Sequence, residues 1–294
     1  MHILVTGSGG LLGSRLIRLL AQSIPNPRII ATTRSSNKTT PTSPGVAYVR
    51  ADLRERSFWQ SLPTTITHVF HLAAVIPWKP EDRARPKLMS ENISPVLNLV
   101  EQISEWPQLK QIVYSSSVSV YSPTEMLLTE RSRCDPPTIY GRSKLIGENL
   151  LATFPHLVSL RFSSIYGHGQ FAETVLPIMV KHARDKEPLV VFGDGSRTQD
   201  FIHVDDAARA CLLCLQKGAS GVYNVGSGLP VTMTELAQTV SEVFAGGTSQ
   251  IVLRPEQKDS DPGMRIDISK IRSELNYQPM TLAEGLKQLR DSTQ

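Results

Sequence analysis

Short apolar runs alternate with amphipathic segments along the first half of the chain. Four segments repeat apolar residues at helical spacing: LLGSRLIRLLAQS, RERSFWQSL, NISPVLNLVEQISE and YGRSKLIGENLLATF. The runs around them have the near-continuous apolar character of buried strands: HILVTG, RIIATTR, VAYVRADL, HVFHLAA, QIVYSSS and LVSLRFSSIYG. This alternation predicts an α/β fold, a doubly wound parallel sheet with helices on both faces.

The pattern changes in the second half of the chain. GDGSRTQDF is polar and rich in turn residues, whereas VTMTELAQTVSEVF and TLAEGLKQLRDS have helical spacing, with shorter strand-like pieces between them. We therefore predict a first domain over residues 1–165, to which a segment near 200–225 returns, and a smaller α/β lobe over 166–294. The Ser/Thr/Pro-rich stretch over 35–45 predicts a flexible surface loop.

Composition and charge exclude several classes of protein. The length of 294 residues suits one large domain or two modest ones. The net charge is only +4 and the basic residues are scattered, so we do not expect a nucleic-acid partner. No apolar run approaches the length that spans a bilayer, and the first one breaks at once into glycines, unlike a secretory leader. We therefore expect a cytoplasmic protein with no membrane partner.

The chain has three cysteines, Cys134, Cys211 and Cys214. Their small and odd number argues against a disulfide scaffold. Cys211 and Cys214 form a C-x-x-C motif within DDAARACLLCLQKG, where helical spacing places both on an apolar face. No second pair completes a zinc site, so we expect no metal. We interpret both residues as small buried hydrophobic side chains.

Three glycines spaced three residues apart stand between the first strand and the first helix, in TGSGGLLG. In this position Gly7 would make the tight turn, Gly10 would let the backbone approach a phosphate, and Gly13 would allow the helix to pack on the strand. The helix N-terminus then offers N–H groups and a positive dipole to a pyrophosphate. The triplet therefore predicts a dinucleotide site, whereas a simple tight turn would explain only one glycine.

The end of the second strand bears on the choice of dinucleotide. ATTRSSNK contains no acidic residue to accept hydrogen bonds from the adenosine ribose, and Arg34 and Lys38 stand there instead. A guanidinium can pair with a 2′-phosphate, so we favour NADP over NAD. Asp52 follows the third strand and could accept from the adenine amino group, or it could cap the following helix.

A tyrosine and a lysine lie four residues apart in YGRSK, on one face of a predicted helix. Lys144 would stabilise the phenolate of Tyr140, which could then exchange a proton with an alcohol or ketone. Ser117, at the end of the fifth strand, could hydrogen-bond the same substrate oxygen. Asn92 stands at the start of the helix that is predicted after the fourth strand. Its amide could hold that helix or a water.

Taken together, these motifs resemble those of the extended short-chain dehydrogenases/reductases, in the NAD-dependent epimerase/dehydratase family. The likeness runs along nearly the whole chain and implies a Rossmann sheet that binds NAD(P), with a C-terminal lobe that binds a substrate, most often a nucleotide sugar. The segments that carry it are TGSGGLLG, ADL, HLAA, Asn92, SSSVSVY, YGRSK, LRFSSIYG, GDGSRTQDFIHVDDAARA, YNVGSG and RIDISKIRSELNYQP.

The resemblance also implies roles for individual residues. The catalytic set would be Ser117, Tyr140 and Lys144, with Asn92 beside them, and the family further suggests a homodimer packed through the helices that carry Asn92 and Tyr140. The residues expected to contact the cofactor are Gly7, Gly10, Leu11, Leu12, Gly13, Arg34, Asp52, Leu53, Leu72, Ala73, Ala74, Ser115, Tyr140, Lys144 and Phe162.

Departures from the family's pattern bear on the reaction and the substrate. Sugar dehydratases of the family carry Asp-Glu where this chain has Val118 and Ser119, so we exclude a 4,6-dehydratase. The family's Asn is replaced by Ser164, and its Arg before Asp-Phe is replaced by Gln199. The positive charge that a substrate diphosphate needs could instead come from Arg197 and Arg265. The expected substrate-binding residues are Trp78, Ser117, Ser164, Arg197 and Arg265.

Several reactions fit the same residues. A 4-epimerase would oxidise a sugar carbon and return the hydride to the other face, whereas a 4-keto reductase would use external NADPH, as Arg34 favours. Ser164 and Gln199 support an alternative, an NADPH-dependent ketone reductase of a non-sugar metabolite. A non-catalytic NAD(P)-binding sensor would have kept the glycines and lost Tyr140 and Lys144, and this chain keeps both.

Overall fold

Strands of the protein follow the apolar runs of the sequence. The computed structural model describes residues 1–34, 44–77, 85–123, 127–170, 173–257 and 263–292, which leaves most of the predicted surface loop over 35–45 outside the described residues. The strands are β1 (His2–Thr6), β2 (Arg28–Thr33), β3 (Val46–Arg50), β4 (His68–His71), β5 (Gln111–Ser117), β6 (Leu157–Phe162), β7 (Ser164–Tyr166), β8 (Leu189–Phe192), β9 (Thr198–Gln199), β10 (Phe201–His203), β11 (Gly221–Val225), β12 (Val231–Thr232) and β13 (Ile251–Arg254).

Helices fill most of the connections between these strands. A turn of 3-10 helix, Val118–Val120, follows β5. The α-helices are α1 (Leu11–Ser23), α2 (Arg56–Gln60), α3 (Lys87–Ile103), α4 (Ile139–Leu151), α5 (Val175–Asp185), α6 (Val204–Lys217), α7 (Met233–Ala245), α8 (Ser269–Leu275) and α9 (Leu282–Asp291).

The central sheet has seven strands in the order β11-β6-β5-β4-β1-β2-β3, and every neighbouring pair is parallel. Helices α1 and α6 pack on one face over a core that includes Leu16 and Cys211. Helices α3 and α4 pack together on the other face, over a core that includes Leu99 and Leu151. Apolar residues cover both faces of the sheet, which confirms the predicted doubly wound architecture.

A second apolar core lies among elements from the last part of the chain. Residues of α5, α7 and α9 pack around Leu189 and Val191 of β8, which pairs in parallel with β13. Strand β11 and helix α6, by contrast, return to the central sheet. These contacts support our proposed division into 1–165 and 166–294, with the segment near 200–225 returning to the first domain.

The sixth predicted strand, LVSLRFSSIYG, is two strands that belong to different sheets. β6 ends in the central sheet at Phe162, whereas β7 pairs in parallel with β10. Between them, the Ser163 hydroxyl donates to Asp200 Oδ1 at 2.7 Å. Asp200 is buried and also accepts from the backbone N–H of Ser227 and of Gly228, both at 2.8 Å. This saturated carboxylate fixes the chain where it leaves the central sheet.

Cys211 and Cys214 are both buried in α6, as predicted, and burial raises the pKa of the Cys214 thiol to about 12. Across the described ranges, no group of three or more His, Cys, Asp or Glu side chains is arranged to hold a metal ion. No helix within those ranges is long and apolar enough to cross a membrane.

Candidate active site

Two cavities meet at the glycine loop, at the carboxyl ends of the central strands. One has a volume of about 350 Å³ and extends toward the ends of β2 and β3, and the other, of about 500 Å³, extends toward β5, α4 and the second apolar core. Gly7, Gly9 and Gly10 line both. An extended ligand could therefore cross from one cavity to the other over the start of α1.

The glycine loop is closed too tightly for side chains. Gly7 has a φ of +73°, and a Cβ built there would lie 2.8 Å from the backbone nitrogen of Ala73. A Cβ at Gly13 would lie 2.2 Å from the Gly7 carbonyl oxygen, so Gly13 lets α1 pack on the loop. Gly10 is the N-cap of α1 and offers no capping side chain, and the first turn of α1 holds no acidic residue. These features suit an anion at the helix N-terminus.

All of the predicted cofactor residues line one or both of these cavities. Those in the smaller cavity are Gly7, Gly10, Arg34, Asp52, Leu53, Leu72, Ala73 and Ala74. The larger cavity is lined by predicted cofactor, catalytic and substrate residues. They are Gly7, Gly10, Leu11, Leu12, Gly13, Leu72, Ala74, Ser115, Ser117, Tyr140, Lys144, Phe162 and Ser164.

Arg34 and Thr33 line the far end of the smaller cavity, as expected for residues that face the adenosine ribose. Asp52 also lines it, but its carboxylate is paired with Arg54, whose Nε donates at 2.9 Å to Asp52 Oδ1. This pairing lowers the pKa of Asp52 to about 2. The alternative prediction, that Asp52 caps the next helix, is wrong because Glu55 is the N-cap of α2. Sequence reasoning missed Arg54 as a lining residue.

Tyr140 and Lys144 lie on one face of α4 and line the larger cavity with Ser117. The Lys144 ammonium Nζ donates to the Ser115 carbonyl oxygen at 2.6 Å and lies 5.9 Å from the centre of the Tyr140 ring. It also lies 5.1 Å from the centre of the Tyr114 ring, which packs beneath it. The structure therefore brings the predicted tyrosine, lysine and serine together.

The protonation of this pair is set mainly by burial. Burial raises the pKa of Tyr140 to about 12, against a smaller lowering by its hydrogen bond with Ser117. Burial lowers the pKa of Lys144 to about 7, against an opposing effect of the Glu148 carboxylate. The expectation that the pKa of the Tyr140 phenol is lowered is thus wrong for the protein without cofactor, because burial of the phenolate outweighs the hydrogen bond with Ser117.

Asn92 is not among the described lining residues of either cavity, and its place in the catalytic set stays a prediction. Its Oδ1 accepts from the Val75 N–H at 2.7 Å, while its Nδ2 donates to the Val75 carbonyl at 3.1 Å and to Ser143 Oγ at 3.0 Å. It lies inside α3, which begins at Lys87 rather than at Asn92. Asn92 therefore ties the segment after β4 to α4.

The predicted substrate residues differ in whether they line the larger cavity. Ser164 lines the larger cavity, and so does Gln199, whereas Arg197 and Arg265 are not among its described lining. The Arg197 guanidinium instead donates to Gln199 Oε1 at 3.0 Å, and Arg265 is exposed. The expectation that these two arginines contact the substrate stays a prediction. Trp78 and Lys38 lie outside the described residues.

One wall of the larger cavity was not predicted from the sequence. It includes Thr174, Val175 and Leu176 at the start of α5. The sequence does carry a signal for α5, because apolar residues recur through VLPIMVKHARD at helical spacing. Among the described residues that line this cavity, Lys144 is the one charged side chain.

Comparisons with known proteins find both similar sequences and similar structures. The sequence model of the NAD dependent epimerase/dehydratase family matches residues 3–226. A dTDP-glucose 4,6-dehydratase of an Actinoplanes species is 27% identical over 299 residues, which cover 95% of this chain and 93% of that protein.

Two solved structures are similar over the full length of both chains. The UDP-glucose 4-epimerase of Thermotoga maritima, crystallised with UDP-glucose, has a TM-score of 0.88 and 25% identity. The protein MoeE5, solved in complex with UDP-glucose and NAD, has a TM-score of 0.81 and 27% identity. In each comparison, the matched region covers 100% of this chain and 100% of the other.

Proposed function

Because the chain belongs to the NAD dependent epimerase/dehydratase family, we propose that it transfers hydride at a C–OH/C=O carbon of a nucleotide sugar. The chain is an enzyme of a family that uses a nicotinamide dinucleotide, and the reaction, the substrate and the choice between NAD and NADP are our proposal. The observation that carries it is the meeting of Tyr140, Lys144 and Ser117 in one cavity that opens onto the glycine loop.

The glycine loop fits a dinucleotide on physical grounds. Backbone atoms occupy the space that side chains at Gly7 and Gly13 would fill, so the loop packs closely on its neighbours. Gly10, at the start of α1, lines both cavities. That helix end would hold the pyrophosphate, with Leu53 and Ala73 along the adenosine side and Phe162 and Ser115 along the nicotinamide side. When bound, the cofactor supplies the hydride acceptor or donor and, in its oxidised form, a positive charge.

Tyr140 would move the proton that accompanies hydride transfer. Its pKa of about 12 keeps the phenol protonated in the protein alone, ready to donate to a substrate carbonyl oxygen. In the oxidative direction it must accept a proton, which positive charge near the phenolate favours. Lys144 would supply such charge while its amine is protonated, with Nζ 5.9 Å from the centre of the Tyr140 ring, and Ser117, in the same cavity, would hydrogen-bond the same substrate oxygen.

The absence of a carboxylate favours epimerisation or reduction over dehydration. Loss of a sugar hydroxyl needs a general acid, and the residues after Ser117 are Val118 and Ser119, whose Oγ accepts from Ser117 Oγ at 3.1 Å. Among the described residues that line the larger cavity, none is Asp or Glu. Because a 4,6-dehydratase is among the relatives, this exclusion is a proposal for the assay to decide.

A turnover assay with defined substrates tests the proposed function. The enzyme is incubated with UDP-glucose or dTDP-glucose and NAD, and the products are identified by NMR. A 4-epimer supports the epimerase. A 4-keto-6-deoxy product contradicts our exclusion of dehydration. Conversion of a 4-keto sugar only with added NADPH identifies the reductase, and turnover of non-sugar ketones alone selects the alternative that Ser164 and Gln199 support.

We also propose a preference for NADP, which Arg34 supports. β2 ends without an acidic residue, and Arg34 lines the smaller cavity, where the adenosine ribose and its 2′-phosphate would lie. The test is to titrate the wild-type protein and Arg34→Ala with NADPH and NADH. We expect the substitution to weaken NADPH binding at least about tenfold while leaving NADH binding nearly unchanged. Equal effects on both cofactors would contradict the preference.

We propose a homodimer packed through α3 and α4. Leu97 of α3 and Ile146 of α4 are large apolar residues with 44% and 38% exposure, on two helices that pack against each other. A second copy of this chain would cover both by an isologous contact. Light scattering of the wild type and of Leu97→Lys tests this: a dimer that dissociates on substitution supports the interface, and a wild-type monomer contradicts it.

A further inference from the structure

Ser164 and Gln199 form a fixed polar pair in the wall of the larger cavity. Ser164 begins β7, opposite Phe201 of β10, and its backbone N–H donates to the Asp200 carbonyl at 3.2 Å. Gln199 ends β9 and immediately precedes the buried Asp200. Strand pairing and this buried carboxylate therefore hold both side chains in place before any ligand arrives.

The direction of each hydrogen bond in this pair follows from the chemistry of Arg197. A guanidinium can only donate, and Arg197 Nη1 lies 3.0 Å from Gln199 Oε1, so the amide must turn its Nε2 away. Gln199 Nε2 then donates to Ser164 Oγ at 2.5 Å. Ser164 Oγ is thus already an acceptor, and its own hydrogen has no acceptor within the described part of the chain. The open direction is the cavity that Ser164 lines.

We propose that Arg197, Gln199 and Ser164 form a hydrogen-bond relay that presents the Ser164 hydroxyl hydrogen to a neutral oxygen of the substrate, a hydroxyl or carbonyl on the sugar. Ser164 binds the substrate, and Arg197 and Gln199 are positioning residues that act through it. The inference rests on the proposed function, since it assigns this subsite to the sugar of a nucleotide sugar. It makes Ser164 a specificity-determining residue.

The side chains that the structure describes in the cavity lining favour a neutral oxygen over a phosphate oxygen at Ser164. Among its described lining residues Lys144 is the sole cation, and its ammonium is already bonded to the Ser115 carbonyl. A phosphate at Ser164 would lose its water and gain a single neutral donor, which is unfavourable. A hydroxyl or carbonyl oxygen loses far less on desolvation and pairs well with one donor. The neighbouring Ile165, Val175 and Phe201 suit the carbon face of a sugar ring.

Four variants of the full-length protein test the relay, with UDP-glucose and UDP as the probes. Ser164→Ala removes the donor. Ser164→Thr keeps it. Gln199→Glu keeps the shape of the side chain but replaces the amide donor with a carboxylate that accepts from both Arg197 and the Ser164 hydroxyl, so that the hydrogen turns away from the cavity. The fourth variant combines Ser164→Ala with Gln199→Glu. Affinities are measured by calorimetry on the cofactor-loaded protein.

We expect Ser164→Ala and Gln199→Glu each to weaken UDP-glucose binding by about fivefold to tenfold, the value of one neutral hydrogen bond. The double variant should bind within about twofold of Ser164→Ala, because both substitutions remove the same donor. Ser164→Thr should retain most of the affinity. UDP binding should be the same in the wild type and in Ser164→Ala.

Each contrary outcome is specific. If Gln199→Glu weakens binding as strongly in the Ser164→Ala background, its negative charge is the cause and the relay is refuted. If Ser164→Ala weakens UDP as much as UDP-glucose, the serine contacts phosphate and the neutral subsite is refuted. Unchanged UDP-glucose binding in Ser164→Ala also refutes the inference, while the proposed function stands. If the wild type binds cofactor but neither probe, the assignment to a nucleotide sugar fails, and this inference fails with it.

Discussion

A buried ion pair fixes the helix that carries Tyr140 and Lys144, and breaking it should cost both stability and activity. Arg161 on β6 donates to Glu148 on α4 through Nε at 3.0 Å and Nη2 at 2.7 Å. The two side chains are only 6% and 7% exposed. Glu148 lies one helical turn beyond Lys144, so the pair docks α4 on the sheet directly behind the candidate active site.

The change is Glu148→Gln, which keeps the size of the side chain and leaves the Arg161 charge buried without its counter-charge. Loss of one partner of a buried pair costs about 3–5 kcal/mol, because the remaining ion is desolvated and uncompensated. Replacing both residues by methionine should cost less than either single loss, since no charge then remains buried. The exposed pair Arg133–Asp135, at 74% and 61% exposure, is the matched control, and Asp135→Asn should change stability by less than about 0.5 kcal/mol.

Urea unfolding near neutral pH measures these free energies, and a pH–rate profile adds a second readout. The Glu148 carboxylate raises the pKa of Lys144, so Glu148→Gln should lower that pKa further and shift the loss of the ammonium to lower pH. A cost below about 1 kcal/mol for Glu148→Gln, or a cost equal to that of Asp135→Asn, would refute the reasoning that burial makes this pair important.

Three further substitutions test the loop, the core and the support of the site. Gly13→Ala should destabilise the protein by about 1–3 kcal/mol and weaken cofactor binding, seen by thermal unfolding and titration, because its Cβ would lie 2.2 Å from the Gly7 carbonyl oxygen. Burial lowers the pKa of His71 to about 3 from 6.5, so the unfolded chain takes up a proton that the folded protein does not. His71 should therefore contribute a fall in unfolding free energy of up to about 1.4 kcal/mol per pH unit below pH 6.5, and His71→Leu should reduce the slope in urea titrations by that amount, while the share of His68, whose pKa burial also lowers, remains. Asn92→Leu should lower stability by about 3 kcal/mol and reduce turnover, because its three hydrogen bonds, two of them to Val75, position α4.

The sequence predicted the central sheet and the core of the site because both have local signals. Helix α1 has the predicted bounds, since the glycine loop starts it and apolar spacing continues through Leu20. Tyr140 and Lys144 fall on one face of a helix by spacing alone, and Ser117 ends a strand whose carboxyl end must face the same edge.

The rest depends on contacts between residues far apart in the chain. That LVSLRFSSIYG leaves the central sheet after Phe162 follows from the bond between Ser163 and Asp200, which no local pattern shows. The hydrogen bond from the Arg197 guanidinium to Gln199 Oε1 likewise has no signal in the sequence pattern. The raised pKa of Tyr140 depends on burial by the surrounding fold, which spacing along the chain does not report.

The most direct test of the central claim is the turnover of Tyr140→Phe, measured beside its affinity for the cofactor. The substitution removes only the phenol oxygen from a residue that lines the larger cavity. We expect turnover to fall by about 10²–10⁴-fold, the usual contribution of a general acid–base group, while cofactor affinity stays within about threefold of wild type. Turnover that survives the substitution, with the cofactor still bound, would contradict proton transfer by Tyr140.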